Sequence, residues 1–422
     1  MISNKIDFRL LQAKEVLSDM SSKKRILLIS QHFYPEIGSA ANRMKNIYLE
    51  LHAKGYDVKV LTLEPRYPSK ELYENERFWD SDLNEEDVIR IEPLVKKHST
   101  SIIKRLFLYL EVMFRFILEI LRYKKEVDYV FVTSPPIFVG LAGLIAKWKL
   151  KAPLILDIRD LWPESIIGVG VFSNKLLLST AFKLEDLLYR KATKIFVNSR
   201  SFIDYMNNKN VPVDKIYFMP NSLTEEELSI EVEQKANDTK KTVIYTGNLG
   251  LAQDIQKLIK VAEKLKDEAN IQFTIVGYGY HLNELEKVIK EKNLNNINLQ
   301  SARSRNDTLR LVANSDIAYV SLVDKDVFKT VLPGKIIDYM CVRKPIIGDV
   351  SGYASDIIHT SNCGIVSKEN SVDDLADNIL KLAKDDELCQ KLGQNGYQYA
   401  YEQLRWKTNI LVLEKAMEDI DE

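Results

Sequence analysis

The residues Arg25-Ile26-Leu27-Leu28-Ile29-Ser30 form an apolar run of the length of a β-strand. From Ala41 to Lys54 the apolar residues have helical spacing, and a second strand-like run extends from Val58 to Leu63. A strand, a helix and a strand in this order predict a βαβ unit, because parallel strands need a crossover connection. This stretch therefore predicts an α/β fold with a parallel sheet.

The same alternation continues through the first half of the chain and starts again at Thr242, which predicts two doubly wound, Rossmann-like domains. Residues 224–241 are charged and lack both periodicities, as is typical of a connector. We therefore expect an N-terminal domain over residues 1–223, a linker over 224–241, a C-terminal domain over 242–397, and a final helix over 398–422 that packs back on the first domain. Ligands bind beyond the carboxyl ends of parallel strands, so the fold predicts an active site in an interdomain cleft.

Composition excludes several classes of function. The 422 residues carry 59 Lys and Arg against 60 Asp and Glu, so the net charge is -1 and we predict no binding to nucleic acid. The three cysteines lack metal-ligand spacing and fit a reducing compartment. Charges near Met1 argue against an export signal, and two prolines interrupt the uncharged run from Tyr129 to Ala146, which argues against a membrane span. We expect a cytoplasmic protein.

A helix start is predicted at Pro333, because proline is favoured at the beginning of a helix. The N–H groups of Gly334, Lys335 and Ile336 would lack helical acceptors and form a small anion site that suits a phosphate. Asp338 lies one turn later, where its carboxylate can accept hydrogen bonds from a ribose. Together these residues predict a nucleotide site. The alternative is a capped helix that precedes a buried strand.

Two loops after strands of the first half contain further candidates. Small residues around Gly38 would let the backbone approach a ligand, although a plain strand-to-helix turn explains the loop equally well. His32 in the same loop is either an acid or base or a structural residue. In the second loop Asp157, Arg159 and Asp160 gather charge at the carboxyl end of a buried strand. Asp160 is our catalytic candidate, and the alternative is a structural ion pair between Asp157 and Arg159.

Neither a nicotinamide site nor a metal site is predicted. In Gly277-Tyr278-Gly279 the third glycine of a dinucleotide fingerprint would fall at Leu282, so that fingerprint fails. Two Asp-x-Asp triplets, at residues 80–82 and 324–326, have a form that binds a metal with a diphosphate in other enzymes. Such triplets arise easily in a chain with 28% charged residues. We assign no metal and no cofactor.

Nearly the whole chain after residue 24 resembles glycosyltransferase family 4, the retaining GT-B enzymes, and is most similar to bacterial members that build surface polysaccharides. The similarity rests on the order and spacing of six stretches, which are Gln31-His32-Phe33-Tyr34-Pro35-Glu36-Ile37-Gly38, Arg159-Asp160-Leu161-Trp162-Pro163-Glu164-Ser165, Pro220-Asn221, Tyr245-Thr246-Gly247-Asn248-Leu249-Gly250, Val276-Gly277-Tyr278-Gly279 and Leu332-Pro333-Gly334-Lys335-Ile336-Ile337-Asp338-Tyr339-Met340.

This resemblance implies that the second domain binds a nucleotide sugar, with Gly334 and Lys335 at its diphosphate and Asp338 where the family has a ribose-binding glutamate. It also implies catalytic roles for Asp160 and the neighbouring Arg159. The implied donor-binding residues are Gly38, Gly247, Asn248, Gly277, Lys329, Thr330, Leu332, Pro333, Gly334, Lys335 and Asp338.

The sequence departs from the family pattern in three ways. Of two glutamates that the family spaces eight residues apart, the first is replaced by Thr330 and the second by Asp338. Asn248 and Gln253 stand where the family often has an Arg and a Lys, so positive charge for the leaving diphosphate must come from elsewhere. Arg159 stands where the family often has a His. Candidate cations are Lys325, Lys329 and Lys335.

The predicted activity is a retaining, metal-independent transfer of a hexose from a UDP-sugar donor to a lipid-linked or saccharide acceptor, in bacterial surface polysaccharide synthesis. One alternative is a UDP-sugar epimerase or hydrolase of the same architecture. The replacement of the first glutamate by Thr330 leaves a second alternative, a non-catalytic subunit that binds sugar nucleotides.

The segment from Ser101 to Arg122 reads as a helix with an unusual distribution of charge. Apart from Arg105 near its start, its charges fall on one narrow stripe, at Lys104, Glu111, Arg115, Glu119 and Arg122, and leave a wide apolar surface. Eight Lys or Arg against two Glu lie between residues 96 and 125. Such a helix can lie in an anionic bilayer surface, so we predict peripheral binding at the inner face of the plasma membrane. The alternative is an ordinary helix buried on two sides.

Overall fold

The structure is a computed structural model that describes residues 24–81, 83–94, 102–170, 174–232, 240–368 and 371–422. In these residues the chain forms two parallel sheets, one of seven and one of six strands, each flanked by helices. The predicted α/β class with two doubly wound halves is confirmed. The first 23 residues lie outside the described part.

The first sheet contains strands β1 to β7 in the order β3-β2-β1-β4-β5-β6-β7. Its strands are β1 (Arg25–Ile29), β2 (Asp57–Leu63), β3 (Val88–Ile91), β4 (Tyr129–Ser134), β5 (Leu154–Ile158), β6 (Lys194–Val197) and β7 (Ile216–Phe218). Every residue of β4 and β5 is buried, because helices cover both faces of the sheet. The helices of this half are α1 (Ser39–Ala53), α2 (Ile102–Arg122), α3 (Ile137–Leu150), α4 (Glu164–Gly168), α5 (Lys175–Lys191) and α6 (Ser201–Asn208).

The second sheet has the order β10-β9-β8-β11-β12-β13. Its strands are β8 (Lys241–Asn248), β9 (Ile271–Tyr278), β10 (Ile297–Gln300), β11 (Ile317–Ser321), β12 (Ile346–Asp349) and β13 (Gly364–Val366). The helices that follow the first half are α7 (Glu225–Leu228), α8 (Ile255–Lys264), α9 (Leu282–Glu291), α10 (Arg305–Ala313), α11 (Gly334–Cys341), α12 (Tyr353–Thr360), α13 (Val372–Ala383), α14 (Asp386–Gln403) and α15 (Trp406–Asp421). In both sheets the strand order reverses beside the first strand, β1 or β8, which is where open α/β sheets bind ligands.

The segment predicted as a linker contains regular structure. Thr224 and Glu227 form a capping box that begins α7, and Leu228 is buried in the core of the second half. Residues 224–228 are therefore part of the second domain's packing, and the prediction of a solvated connector is wrong there. The signal was readable, because a Thr followed three residues later by a Glu is typical of a helix start.

The final helix α15 packs on the first half of the chain. Trp406, Ile410 and Leu413 are buried in one cluster with Met44 and Ile47 of α1. The chain passes between the two halves twice, near Leu223 and near Leu404, and the two crossing segments are hydrogen bonded to each other. The Leu223 amide donates to the Leu404 carbonyl at 2.8 Å, and the Trp406 amide donates to the Leu223 carbonyl at 3.0 Å. The break at Leu404 and Arg405 separates α14 from α15.

The helix α2 buries one face and leaves the opposite face apolar. Leu108, Val112, Phe116 and Ile120 lie in the core of the first half. The outward face carries large apolar side chains, and their exposed fractions are 64% for Phe107, 60% for Phe114, 50% for Leu118 and 45% for Leu121. No helix in the described ranges is long and apolar enough to cross a bilayer.

Candidate active site

A cleft of about 320 Å³ lies between the two sheets, at the carboxyl ends of their strands. Both halves of the chain line it. Its lining includes Gly38, Ser39, Arg43, Lys45 and Asn221 from the first half, and Gly247, Asn248, Tyr278, Arg303, Arg305, Pro333, Gly334, Lys335 and Asp338 from the second. Seven of the residues predicted to bind the donor are thus brought together, although they come from three separate segments.

Gly38 lies where the two halves approach each other. Its φ of +121° belongs to the region that favours glycine, and a Cβ there would lie 3.3 Å from the hydroxyl oxygen of Tyr278. The backbone of the first half can therefore come close to the second half and to anything bound between them. The alternative of a plain strand-to-helix turn does not account for this approach.

Pro333 precedes α11, as predicted from the sequence, and its φ of -60° suits a helix start. The predicted anion site is smaller than expected, because the Ile336 amide donates to the Pro333 carbonyl at 3.0 Å. The amides of Gly334 and Lys335 have no acceptor among the described residues. Two N–H groups, and not three, therefore face the cleft at the positive end of this helix.

Lys335 brings an ammonium group to the same place. Its Nζ is buried and has no hydrogen-bond partner in the described part of the chain. The ammonium lies 3.7 Å from the centre of the Tyr245 ring, a cation–π contact. Burial lowers the pKa of Lys335 to about 7, against a weaker opposing effect of Asp338. A buried cation with unused donors in a cleft is suited to an anionic ligand.

Asp338 forms an ion pair with Arg305, a residue that the sequence analysis did not predict. Arg305 donates from Nη2 to Asp338 Oδ1 at 2.9 Å and from Nε to Glu227 Oε1. Burial raises the pKa of Asp338, and the guanidinium of Arg305 opposes this shift. No local motif pointed to Arg305, because its partners lie 33 and 78 positions away in sequence.

The charged residues at the end of β5 are arranged differently from either prediction. Asp157 pairs with Arg43, at 2.7 Å from Nη2 to Oδ1, and both side chains are fully buried. Arg159 donates instead to Thr133 Oγ1 at 2.7 Å and to the Pro135 carbonyl at 3.1 Å. The suggested ion pair between Asp157 and Arg159 is therefore wrong, although Asp157 is structural.

Neither Arg159 nor Asp160 belongs to the lining of the cleft in the described residues. Burial raises the pKa of Asp160, and Ser165 and Arg159 partly oppose this shift. Burial lowers the pKa of Arg159 to about 10, so its guanidinium remains charged at neutral pH.

Four of the predicted donor-binding residues also lie outside the lining of the cleft. Gly277, near the end of β9, packs closely against the loop after β8, since a Cβ there would lie 2.8 Å from Leu249 Cγ. Leu332 is buried in the core of the second half. Thr330 donates its hydroxyl to the Val327 carbonyl at 2.6 Å. Lys329 pairs with Asp326 at 2.9 Å and with Asp324 at 3.7 Å.

The cations of the cleft thus differ from the three proposed from the sequence. Lys335 lies in the cleft, whereas Lys325 and Lys329 do not line it. Lys45 and Arg303 line it instead. Lys45 lies 5.5 Å from the centre of the Tyr34 ring, and burial lowers its pKa.

Two other candidates are held by protein partners. His32 Nδ1 lies 2.5 Å from Glu36 Oε2, and Glu36 Oε1 accepts the amides of Arg66 and Tyr67. These contacts favour the structural role for His32. Of the Asp-x-Asp triplets, Asp82 lies outside the described residues, and Asp324 and Asp326 pair with a lysine.

Comparison with known proteins identifies the family. A model described as "Glycosyl transferase 4-like domain" matches residues 38–222, and one described as "Glycosyl transferases group 1" matches residues 227–399. Together the two matches cover most of the chain. It belongs to glycosyltransferase family 4. The resemblance inferred from the motifs is therefore confirmed, and the chain is a glycosyltransferase of the GT-B type.

This family 4 glycosyltransferase is similar to a putative colanic acid biosynthesis glycosyl transferase, WcaI, of Escherichia coli (strain K12). The two are 25% identical over 335 residues, which make up 75% of this chain and 81% of the relative. The fold is similar to sucrose-phosphate synthase from Thermosynechococcus elongatus, with a TM-score of 0.72 and 14% identity over 94% of this chain and 99% of that one. It is also similar to Anabaena Alr3699/HepE in complex with UDP and glucose, with a TM-score of 0.69 and 14% identity over 94% of this chain and 100% of that one.

Proposed function

We propose that this glycosyltransferase moves a hexose, with retention of configuration, from a UDP-sugar to a lipid-linked or saccharide acceptor. The observation that carries the proposal is the buried ammonium of Lys335, which lies beside the amides of Gly334 and Lys335 at a helix start. Neither the ammonium nor these two amides has a hydrogen-bond partner in the described part of the chain. A diphosphate supplies the negative charge and the acceptor oxygens that these donors require. The structural neighbour in complex with UDP and glucose supports the choice of nucleotide, and the name of the Escherichia coli relative supports a role in polysaccharide synthesis.

The proposed chemistry requires positive charge at one place. When the bond between the sugar's anomeric carbon and the diphosphate oxygen breaks, that oxygen gains negative charge and the sugar becomes oxocarbenium-like. Lys335 and the amides of Gly334 and Lys335 would stabilise the leaving diphosphate without a metal. Asp338 would accept hydrogen bonds from the ribose. Gly38, Gly247 and Asn248, which the family resemblance also assigns to the donor, line the same cleft.

We assign Asp160 to the acceptor hydroxyl. Asp160 lies at the carboxyl end of β5 but does not line the donor cleft, so its proposed substrate is the other one. The elevated pKa that burial gives its carboxyl suits a group that takes up a proton. During transfer the acceptor oxygen forms the new bond to the anomeric carbon and its proton passes to Asp160, while Arg159 keeps its charge nearby.

The proposal places the protein at the cytoplasmic face of the plasma membrane. Phe107, Phe114, Leu118 and Leu121 present an apolar face on α2, and Arg122, Lys124 and Lys125 are exposed where that helix ends. An apolar face flanked by cations is suited to an anionic bilayer surface, where a lipid-linked acceptor would be found. The side chains of Lys104 and Arg105 lie outside the described residues.

The donor assignment is tested by calorimetry with UDP and by transfer assays with UDP-hexoses. UDP should bind the wild type, and Lys335→Met should lose most of that binding. Lys325→Met is the matched control, since this exposed lysine lies outside the cleft. Nuclear magnetic resonance of the product should show the donor's anomeric configuration. Inversion, or binding that Lys335→Met leaves unchanged, would contradict the proposal.

Asp160→Asn tests the acceptor role. We expect this variant to bind UDP normally and to lose about 10²-fold or more in transfer rate, because proton transfer contributes about 10²–10⁴-fold. Near-normal transfer to a purified acceptor would refute the role of Asp160.

Flotation with liposomes that contain anionic lipid tests the membrane proposal. The wild type should float, and a variant with Phe107→Ser and Phe114→Ser should float much less. Leu411→Ser is the control, because Leu411 is 49% exposed on α15, far along the chain from α2. Wild-type protein that stays at the bottom of the gradient would remove the proposal.

A further inference from the structure

Arg305 lies between two carboxylates at the wall of the cleft. It donates to Asp338 Oδ1 at 2.9 Å through Nη2 and to Glu227 Oε1 through Nε. The three residues come from α10, α11 and α7, which are distant in sequence. Although burial opposes the shift, the two carboxylates raise the pKa of Arg305 above its usual value, so the guanidinium is charged under all ordinary conditions.

Glu227 is itself fixed in place. Its Oε2 accepts the Thr224 amide at 2.9 Å, and the Thr224 hydroxyl oxygen accepts the Glu227 amide at 3.1 Å. The side chain of Glu227 is only 7% exposed. Thr224 directly follows Leu223, whose backbone is hydrogen bonded to the second crossing of the chain between the two halves. Glu227 therefore gives Arg305 an anchor that cannot rotate freely.

The arrangement leaves part of Asp338 available. Its Oδ1 is occupied by Arg305, whereas Oδ2 has no protein donor among the described residues. Burial favours the protonated form of this carboxyl, and Arg305 opposes that effect. An ionised carboxylate with one free oxygen, held in one orientation, can accept hydrogen bonds from hydroxyl groups of a ligand.

We propose that Arg305 is a positioning residue for the recognition of the donor's ribose. Its guanidinium stabilises the ionised form of the Asp338 carboxylate and fixes its orientation, and Glu227 holds Arg305 in place. The inference rests on the proposed donor site, and it adds two residues that the family motifs did not indicate.

Calorimetry with UDP and 2′-deoxy-UDP tests the inference in wild type, Asp338→Asn, Arg305→Gln, Arg305→Lys and Glu227→Gln. Wild type should bind UDP about ten-fold more tightly than the deoxy analogue, the usual effect of one hydrogen bond to a charged group. The ratio should fall towards one in Asp338→Asn and below about three in Arg305→Gln, with an intermediate value in Arg305→Lys and Glu227→Gln. Arg310→Gln, an exposed residue of the same helix, should keep the wild-type ratio.

The outcomes separate this inference from the proposed function. If Asp338→Asn lowers the ratio and the Arg305 and Glu227 variants keep it, Arg305 is merely structural and the inference is overturned. Equal weakening of both ligands in Arg305→Gln would also overturn it, since that result means a uniform charge effect. If wild type does not bind UDP, the proposed donor site fails first. Should Arg305→Gln not fold, as judged by circular dichroism, the ratios in Arg305→Lys and Glu227→Gln decide.

Discussion

Two buried cations lie at the cleft, and they have opposite surroundings. Arg43, on α1, donates to both oxygens of Asp157, to the Pro220 carbonyl and to Asn221 Oδ1. Lys335, on α11, has a buried ammonium that donates to no residue in the described part of the chain. The buried cation of the first half, Arg43, thus has protein partners for its hydrogen bonds, whereas the ammonium of Lys335 in the second half has none among the described residues.

This difference separates a structural charge from a charge that is available for a ligand. A buried ion needs a counter-ion or strong hydrogen bonds, because its desolvation is costly. Arg43 has both, and a ring of Trp406 lies 5.6 Å from its guanidinium carbon. Within the described ranges Lys335 has the Tyr245 ring and a weaker electrostatic effect of Asp338, but its ammonium donates no hydrogen bond, so an incoming anion can supply what it lacks. The difference in hydrogen bonding between the two cations therefore favours the second half of the chain as the side that binds the proposed diphosphate.

The largest effect is expected for Arg43→Met, which leaves the buried carboxylate of Asp157 without its partner. We expect the free energy of unfolding to fall by about 3–5 kcal/mol, the usual result of breaking a buried ion pair. Urea denaturation measures it. The double variant Arg43→Met with Asp157→Leu should be considerably more stable than Arg43→Met alone. A loss below about 1 kcal/mol in the single variant would remove the contrast between the two cations.

Lys335→Met should have the opposite effect, since it should lower activity and not stability. Its stability should equal or exceed that of the wild type, because the substitution removes a buried charge that has no hydrogen-bond partner among residues 24–81, 83–94, 102–170, 174–232, 240–368 and 371–422. Its kcat/KM with a UDP-hexose should fall by about 10²–10³-fold, which is typical for the loss of one donor to a developing anion. Lys325→Met serves as the control in both assays. A destabilised but active Lys335→Met protein would reverse our interpretation of this lysine.

The pH dependence of stability should report the same lysine. The pKa of Lys335 is lowered to about 7 in the folded protein, below its ordinary value in the unfolded chain. Between pH 7 and about 10 the unfolded state therefore binds more protons, and stability should rise with pH, by at most about 1.4 kcal/mol per unit from this group. The difference between wild type and Lys335→Met in thermal unfolding isolates it. A difference that does not vary with pH would contradict the lowered pKa.

UDP binding should couple to the same proton. Above pH 7 the free enzyme has a partly neutral Lys335, and a bound diphosphate favours the charged form. Binding at pH 8 should therefore be accompanied by proton uptake, which calorimetry in buffers of different ionisation enthalpy detects. Lys335→Arg, which stays charged, should bind UDP without this uptake.

The smallest effect is expected for Lys329→Ala. This lysine is 44% exposed and pairs with Asp324 and Asp326 away from the cleft lining. We expect kcat/KM to change by less than twofold, and stability by less than about 0.5 kcal/mol, as for other surface pairs. A ten-fold or larger fall in kcat/KM would return Lys329 to the proposed donor site and would weaken the argument that Lys335 is the cation that binds the diphosphate.

The fold was predictable to a greater extent than the site. Apolar runs such as that from Arg25 to Ile29 and the proline before Gly334 act through local spacing, which sequence alone contains. Arg305 and Glu227 were missed, because their contacts depend on helices that lie 78 positions apart. A structural role for Asp157 was the alternative interpretation, and the partner suggested for it, Arg159, was wrong for the same reason.

The sequence by itself determined the two alternating series of strands and helices, the position of the helix start at Pro333, and the gathering of polar residues after strands. These follow from short-range periodicity and backbone preference. Only the tertiary structure decided which charges are satisfied. Arg43 pairs with Asp157, which lies 114 positions away, whereas the ammonium of Lys335 donates no hydrogen bond to any residue that the structure describes. Because a buried charge needs a partner, Arg43 is a structural residue and Lys335 is a candidate for binding the diphosphate.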